Sequence, residues 1–374
     1  MEIHFSFTSL LDTIGFIQGI TLGTLLIILN KRKYRSTFFI GLFLIIFSTK
    51  LLYFIFKDLN VSAYYPELFL LPFNFSWLLF PLFFVYTQQV SVFLNQRTKY
   101  WVLYPGIASF LLQLVIFFLP YQTKLMISES PWHDLFFTYT GICYSWGIGI
   151  WNLKILYQHR IEVKNYFSMI ASKELQWARI FLIYSLGSSI IIHILYYIAP
   201  NNFYNKVIFS TFDLIAIYWV SFHGVVQRNV LSILDKKGNN NLSWRKSSED
   251  DNVSSITNED METLMEQIDD YVKTSESFID TELTILDLAK ALKMHPRRIS
   301  TTINTVYHQN FNTYINTFRI KKAEILLADK DSDNLSIEGI GNEVGFHSKS
   351  AFYTAFKKVT GTTPIKFKEK MVQS

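Results

Sequence analysis

Apolar positions crowd into the first 226 residues, where they form long, nearly uninterrupted runs without helical or strand periodicity. Seven runs lie at roughly 9–29, 37–56, 68–90, 101–119, 135–157, 180–198 and 207–226. Each is close to the ~20 residues that an α-helix needs to cross a bilayer. The pattern predicts a seven-helix transmembrane domain over 1–226. The first run is not read as a cleavable signal, because no basic segment precedes it and it ends in Lys31-Arg32-Lys33-Tyr34-Arg35. From 227 to 257 the chain turns polar, rich in Asn and Ser, with too little apolar content to order itself; a flexible cytoplasmic linker is expected. From 258 to 374 apolar residues return at three- and four-residue spacing, the mark of amphipathic helices. The predicted fold is all-α.

Charge orients the runs. Lys31, Arg32, Lys33 and Arg35 follow the first, Arg97 and Lys99 the third, and Arg160, Lys164, Lys173 and Arg179 the fifth. The alternate loops carry only Lys57, Lys124 and Lys206. Positive loops stay inside, so the N-terminus is expected outside and the C-terminal domain in the cytoplasm, on a multi-pass inner-membrane protein. Tyr64, Tyr65, Trp101, Tyr104, Trp132 and Trp177 sit near run ends, as interfacial aromatics do. Pro72 and Pro81 in the third run predict a kink. The outer loops are short, so any outside signal has to bind among the helices or arrive with a partner.

Ionisable residues within spans are functional candidates by default. Lys50, His193 and Asp213 fall in the outer halves of their runs, with Asp12 near the outer end of the first. They are read as a candidate ligand pocket open to the outside, with Lys50 and Asp213 paired. The alternative is that Lys50 snorkels to the headgroups, His193 bonds a neighbouring helix and Asp213 faces shallow water.

In the polar third of the chain, Ile337, Ile340 and Val344 and then Phe352, Phe356 and Val359 give two short helices their apolar faces. Gly345 lies between them, where a turn needs positive φ, and Ser348 can cap the second helix. This is a helix-turn-helix pattern with Lys349, Ser350 and Tyr353 outward. A second copy lies upstream. Thr284 and Asp287 form a capping box, Pro296 opens a helix, Ile299, Ile303 and Val306 face inward, and Arg297, Ser300, Thr301 and Asn304 face outward. Residues 314–329 form an amphipathic connector in which Arg319 serves either to brace helix packing or to touch DNA. Upstream, the stripe Met261, Leu264, Met265, Ile268, Tyr271 and Val272 is either a dimerisation seam or the first helix of this domain packing on its own core.

The runs ISTTIN, FNTYINTFRIKKAEILL, IGNEVGFHSKSAFYTAFKK and TGTTPIKFK, in this order and spacing, make residues 260–370 resemble the DNA-binding domain of AraC/XylS-type transcription regulators. The resemblance implies two helix-turn-helix units, at about 284–305 and 336–357, whose second helices enter successive major grooves. It places base-reading roles on Arg297, Ser300 and Thr301 in the first unit and on Lys349, Ser350 and Tyr353 in the second. Where the family often ends in Pro-x-x-Tyr-Arg, this chain has Pro364 and then Phe367-Lys368, so a terminal arginine contact is not expected.

Charge supports a DNA reader. Between 258 and 287 there are ten acidic residues and one basic, whereas 290–374 hold 14 Lys/Arg against 7 Asp/Glu, a surplus suited to phosphates. No phosphate-binding Gly-rich loop, metal-spaced Cys/His cluster or catalytic set is legible, so no enzyme, cofactor or metal is expected. The single Cys143 excludes an intrachain disulfide. The expected function is a membrane-embedded, sequence-specific transcription regulator, a one-component sensor coupling a membrane or extracellular signal to promoter binding. Its partners would be double-stranded DNA, the lipid bilayer and an unidentified small-molecule or membrane signal, with a homodimer open. The alternatives are a transporter or membrane enzyme with a fused regulatory DNA-binding domain, and an interaction protein whose hairpins bind protein.

Overall fold

The computed structural model describes residues 6–28, 36–92, 98–170, 173–199, 202–226, 258–329 and 335–373. The basic residues at 31–35, Arg97 and the linker 227–257 lie outside the described residues. The described residues are helical, apart from connections and one isolated backbone bridge. They fall into two compact units, Met1–His159 with Leu175–Ser232, and Arg160–Glu174 with Ile233–Ser374.

The main helices of the first unit are α1 (Phe7–Ile28), α2 (Ser36–Asp58), α3 (Leu79–Val90), α4 (Tyr104–Phe117), α5 (Thr140–Tyr166, its last turns belonging to the second unit), α6 (Gln176–Ile198) and α7 (Phe203–Val226). Five segments among the described residues are long and apolar enough to cross a membrane: α1, α2, α4 with its leading turn from Tyr100, α6 and α7. Their outward sides are apolar, with Ile17, Ile183 and Phe222 all exposed. The core between them is aromatic, with Phe43, Phe83 and Phe181 in mutual ring contact and Trp177 against Phe83.

Helix α1 lies tightly against α2 because three glycines line its contact face. A Cβ on Gly23 would come 2.8 Å from the Gly41 carbonyl oxygen, and one on Gly41 would come 2.6 Å from that of Gly23. Gly19 faces Ser48 just as closely. Gly15, Gly19 and Gly23 recur every fourth residue, the small-residue stripe through which helices associate in lipid by backbone contact.

The third apolar run departs from a continuous span. Residues 69–78 are irregular and helix begins only at Leu79. Pro72 belongs to the irregular part. Pro81 falls in the first turn of α3, where an N–H has no intrahelical acceptor and its absence costs little. Gln113 of α4 stands in for the missing helix, accepting from Asn74 N (3.1 Å) and donating to Asn74 O (2.9 Å). Helix α5 is long enough to span but carries Asn152, Lys154, His159 and Arg160 in its second half.

In the second unit, α8 (Asn258–Ser275), α9 (Ile285–Leu292), α10 (Pro296–Tyr307), α11 (Phe311–Ala328), α12 (Ile337–Glu343), α13 (Lys349–Thr360) and α14 (Pro364–Gln373) surround two small cores. Leu264, Met265, Ile268 and Val272 of α8 are buried with Ile285, Leu288, Ile299 and Ile303, so this stripe packs on its own domain. Ile320, Ala323 and Leu327 of α11 join Ile340, Phe352 and Phe356 in the other core. Helix α11 therefore contributes to both, through Phe311, Tyr314 and Ile315 at one end and Ile320 to Leu327 at the other.

Candidate functional site

Local chemistry builds the two hairpins of the second unit. Asp287 reaches back to Thr284, accepting from its N–H (2.7 Å) and its hydroxyl (2.8 Å), which fixes the start of α9. Pro296 occupies the first position of α10, and His295 Nδ1 accepts from Arg297 N (3.2 Å). In the second hairpin Ser336 caps α12 through Gly339 N (3.0 Å) and Ser348 caps α13 through Ala351 N (3.3 Å). The first turn takes its left-handed residue from Lys293 (φ 52°), the second from Gly345 (φ 95°). At the second, only glycine fits, because a Cβ would collide with the Ile279 carbonyl.

The inner faces of α10 and α13 are buried through Ile299 and Ile303 and through Phe352 and Phe356. On the opposite face of α10, Arg297 is exposed and Ser300 and Thr301 are half-buried. On α13, Lys349 and Ser350 are exposed and Tyr353 is half-buried, with the Lys349 ammonium 5.7 Å from the Tyr353 ring centre. In each sequence-selected trio no residue is fully buried, and Arg297, Lys349 and Ser350 are exposed. Arg298, exposed beside Arg297, adds a cation that the spacing argument passed over.

Arg319 has a different place. It is 1% exposed and donates from Nε to Phe278 O (2.6 Å) and from Nη2 to Asp280 O (2.8 Å) and Ser168 Oγ (3.1 Å). Burial lowers its pKa to about 10, which leaves it charged at neutral pH. It braces the fold and does not face DNA.

In the first unit Lys50 and Asp213 form an ion pair of 2.7 Å. The Lys50 ammonium lies 4.7 and 4.9 Å from the ring centres of Phe47 and Phe209. Both residues line a cavity of about 420 Å³ together with His193, Trp146 and the irregular stretch Phe73–Ser76. His193 Nδ1 contacts Ser189 O at 2.6 Å on its own helix. Asp12 is buried nearby in the fold, one of its carboxylate oxygens has no hydrogen-bond partner among the described residues, and it does not line the cavity. The polar lining contributed by residues 73–76 was invisible in an apolar run.

Two capped helix-turn-helix hairpins joined by one long helix are the architecture of an AraC-type DNA-binding domain. Residues 288–370 match the family described as helix-turn-helix domain, and this C-terminal domain is of the AraC type. Over 103 residues the chain is 32% identical to the melibiose operon regulatory protein of Escherichia coli (strain K12), covering 26% of this chain and 33% of that protein. Over 91 residues it is 31% identical to the Msm operon regulatory protein of Streptococcus mutans, covering 24% and 32%. A solved structure of a Listeria innocua protein of unknown function is 22% identical over 28% of this chain and 95% of that one, with a TM-score of 0.25. The chain thus spans about a third of the length of the curated relatives it matches.

Proposed function

We propose that the chain is a membrane-embedded, sequence-specific transcription regulator, a one-component sensor whose 1–226 domain responds to a membrane or extracellular signal and whose 258–374 domain binds promoter DNA. The observation that carries this reading is an AraC-type helix-turn-helix domain on the same chain as five apolar helices of membrane length. Helices α3 and α5 supply the sixth and seventh crossings. Twelve residues of α3 rise only about 18 Å. Irregular backbone can complete that crossing, because at membrane depth it is tolerated where it lines a cavity and its polar groups are met. Residues 73–76 line the cavity, and Gln113 meets Asn74.

Loop charge puts the N-terminus outside and the C-terminal domain in the cytoplasm of an inner-membrane protein. The 160–174 segment, assigned to the cytoplasm by its charge, packs as part of the DNA-binding unit, in keeping with that side. Arg297, Ser300, Thr301, Lys349, Ser350 and Tyr353 read bases and phosphates. The Lys50–Asp213 cavity, with His193, is the ligand pocket. Its broken segment is also what a transporter builds around a substrate, and substrate flux through the purified, reconstituted chain would favour that second reading.

The decisive experiment maps chromosomal DNA crosslinked to the full-length protein and then titrates the recovered promoter fragments with salt. Discrete sites and an affinity falling steeply with salt are expected. Uniform background occupancy refutes the reading.

A further inference from the structure

The last turns of α5, Arg160–Tyr166, and the described residues of its connection to α6 (167–170 and 173–174) fall in the DNA-binding unit. Arg160 and Glu174 close the base of this segment with a 3.1 Å ion pair. At its tip the Phe167 backbone forms an antiparallel bridge with Thr284, and its ring is 1% exposed. Ser168 spends every polar group on the reader. Its N–H donates to Leu283 O (3.1 Å), its carbonyl accepts from Asn312 Nδ2, and its hydroxyl accepts from Arg319 Nη2 (3.1 Å). Tyr166 packs on the first core, and Lys173 pairs with Glu282 at 3.1 Å. A merely passing loop would not satisfy a whole residue in this way, since each such bond fixes a specific donor against a specific acceptor.

The contacted residues matter for reading DNA. Thr284 is the cap of the first helix-turn-helix unit. Arg319 touches the loop through Ser168 and, through Phe278 and Asp280, the segment that leads into the first unit. Its guanidinium also lies 5.6 Å from the ring centre of Phe346, in the turn of the second unit. One buried side chain therefore meets the loop, the segment leading into the first hairpin and the turn of the second.

We propose that the face formed by Leu283, Thr284, Asn312 and Arg319 is a docking site for Phe167 and Ser168 at the end of α5, and that docking is the contact through which α5 and α6 act on DNA binding. The inference rests on the DNA-reading function proposed above. Docking holds the Arg319 junction, and with it the relative setting of the two recognition helices. The docked reader is preorganised and binds DNA more tightly. By linkage, DNA strengthens docking by the same factor that docking strengthens DNA binding.

The test uses the full chain in membranes, with Cys143→Ser, Lys173→Cys and Glu282→Cys and a protease site inserted between 227 and 257. A short bismaleimide should keep the two halves joined after cleavage. Adding Ser168→Ala removes the Arg319 acceptor. It should weaken docking about fivefold, the worth of one hydrogen bond, lower the yield of joined halves and weaken binding of a mapped promoter fragment by up to the same factor. Saturating promoter DNA should restore the yield. Absence of cross-linking above the no-linker control overturns docking. Equal promoter affinities with and without Ser168→Ala, and a yield indifferent to DNA, overturn the coupling. Failure of the unsubstituted chain to bind any DNA while still cross-linking overturns the regulator reading instead, and leaves the docking contact standing.

Discussion

Arg319→Met tests whether the centre of the DNA-binding unit is held by the guanidinium or merely contains it. The side chain is fully buried and makes its strongest bonds to two carbonyls, Phe278 O at 2.6 Å and Asp280 O at 2.8 Å. Asp280 O keeps a second donor in Leu283 N (3.2 Å). For Phe278 O no other donor is seen among the described residues. Methionine nearly matches the volume and leaves the Phe278 carbonyl buried and unmet, which costs about 1–3 kcal/mol. Loss of charge-assisted bonds to Asp280 and Ser168 adds about 1–2 kcal/mol. Relief of the cost of burying a charge returns part of this. The net expectation is about 2–4 kcal/mol of destabilisation. Arg319→Lys, which can reach one carbonyl but not all four partners, Asn316 Oδ1 included, should fall between. Urea unfolding of the full chain in detergent, followed by pulse proteolysis and detection of the C-terminal fragment, reads the difference. A midpoint for Arg319→Met within about 0.5 kcal/mol of the unsubstituted protein would refute the brace.

Gly345→Ala should destabilise the same unit by at least about 2 kcal/mol in that assay, since a φ of 95° strains an L-residue and the added methyl meets Ile279 O; an unchanged midpoint argues against the turn geometry. Gly19→Leu should separate α1 from α2 and lower the detergent melting temperature, whereas Ile17→Leu, on the exposed face, should not. Arg297→Ala is expected to cost about 1–3 kcal/mol of discrimination at one base pair of a mapped site, read by competition among single-base variants; a uniform loss across all variants would make Arg297 a phosphate contact. The Asp269 hydrogen bond and then burial push the Tyr307 phenol up to about 12, and burial and the same carboxylate raise Tyr314. A folded pKa above the unfolded value of about 10 means stability that is complete below pH 10 and is lost as pH rises toward 12. Urea midpoints of the C-terminal unit measured at pH 9 and 11 should therefore diverge, and Asp269→Asn should shrink the gap.

What could be read from the sequence, and what could not, divides by the range of the interactions involved. The hairpins of the DNA-binding domain are specified by contacts three or four residues apart, such as Asp287 on Thr284 and Ser348 on Ala351 N, so motif and spacing expose them. The Gly15, Gly19, Gly23 stripe was not read from the sequence, where it lies inside a long apolar run; its close contact with Gly41 and Ser48 of α2 reveals it. The break before α3 was not legible. Hydropathy cannot see that Gln113, 39 positions away, satisfies Asn74. Arg319 stood between two roles until burial decided, and the residue it donates to on the loop is 151 positions distant. Nothing periodic encodes such a contact. In the one-component regulator proposed above, DNA would be read through local, repeated helix geometry, but any coupling between the halves would have to run through singular long-range contacts, because a signal that moved every helix turn alike would leave no discrete pair of states to switch between. On that proposal, the stretch that follows α5 at Phe167 and Ser168 and the 69–78 break are where control is to be sought.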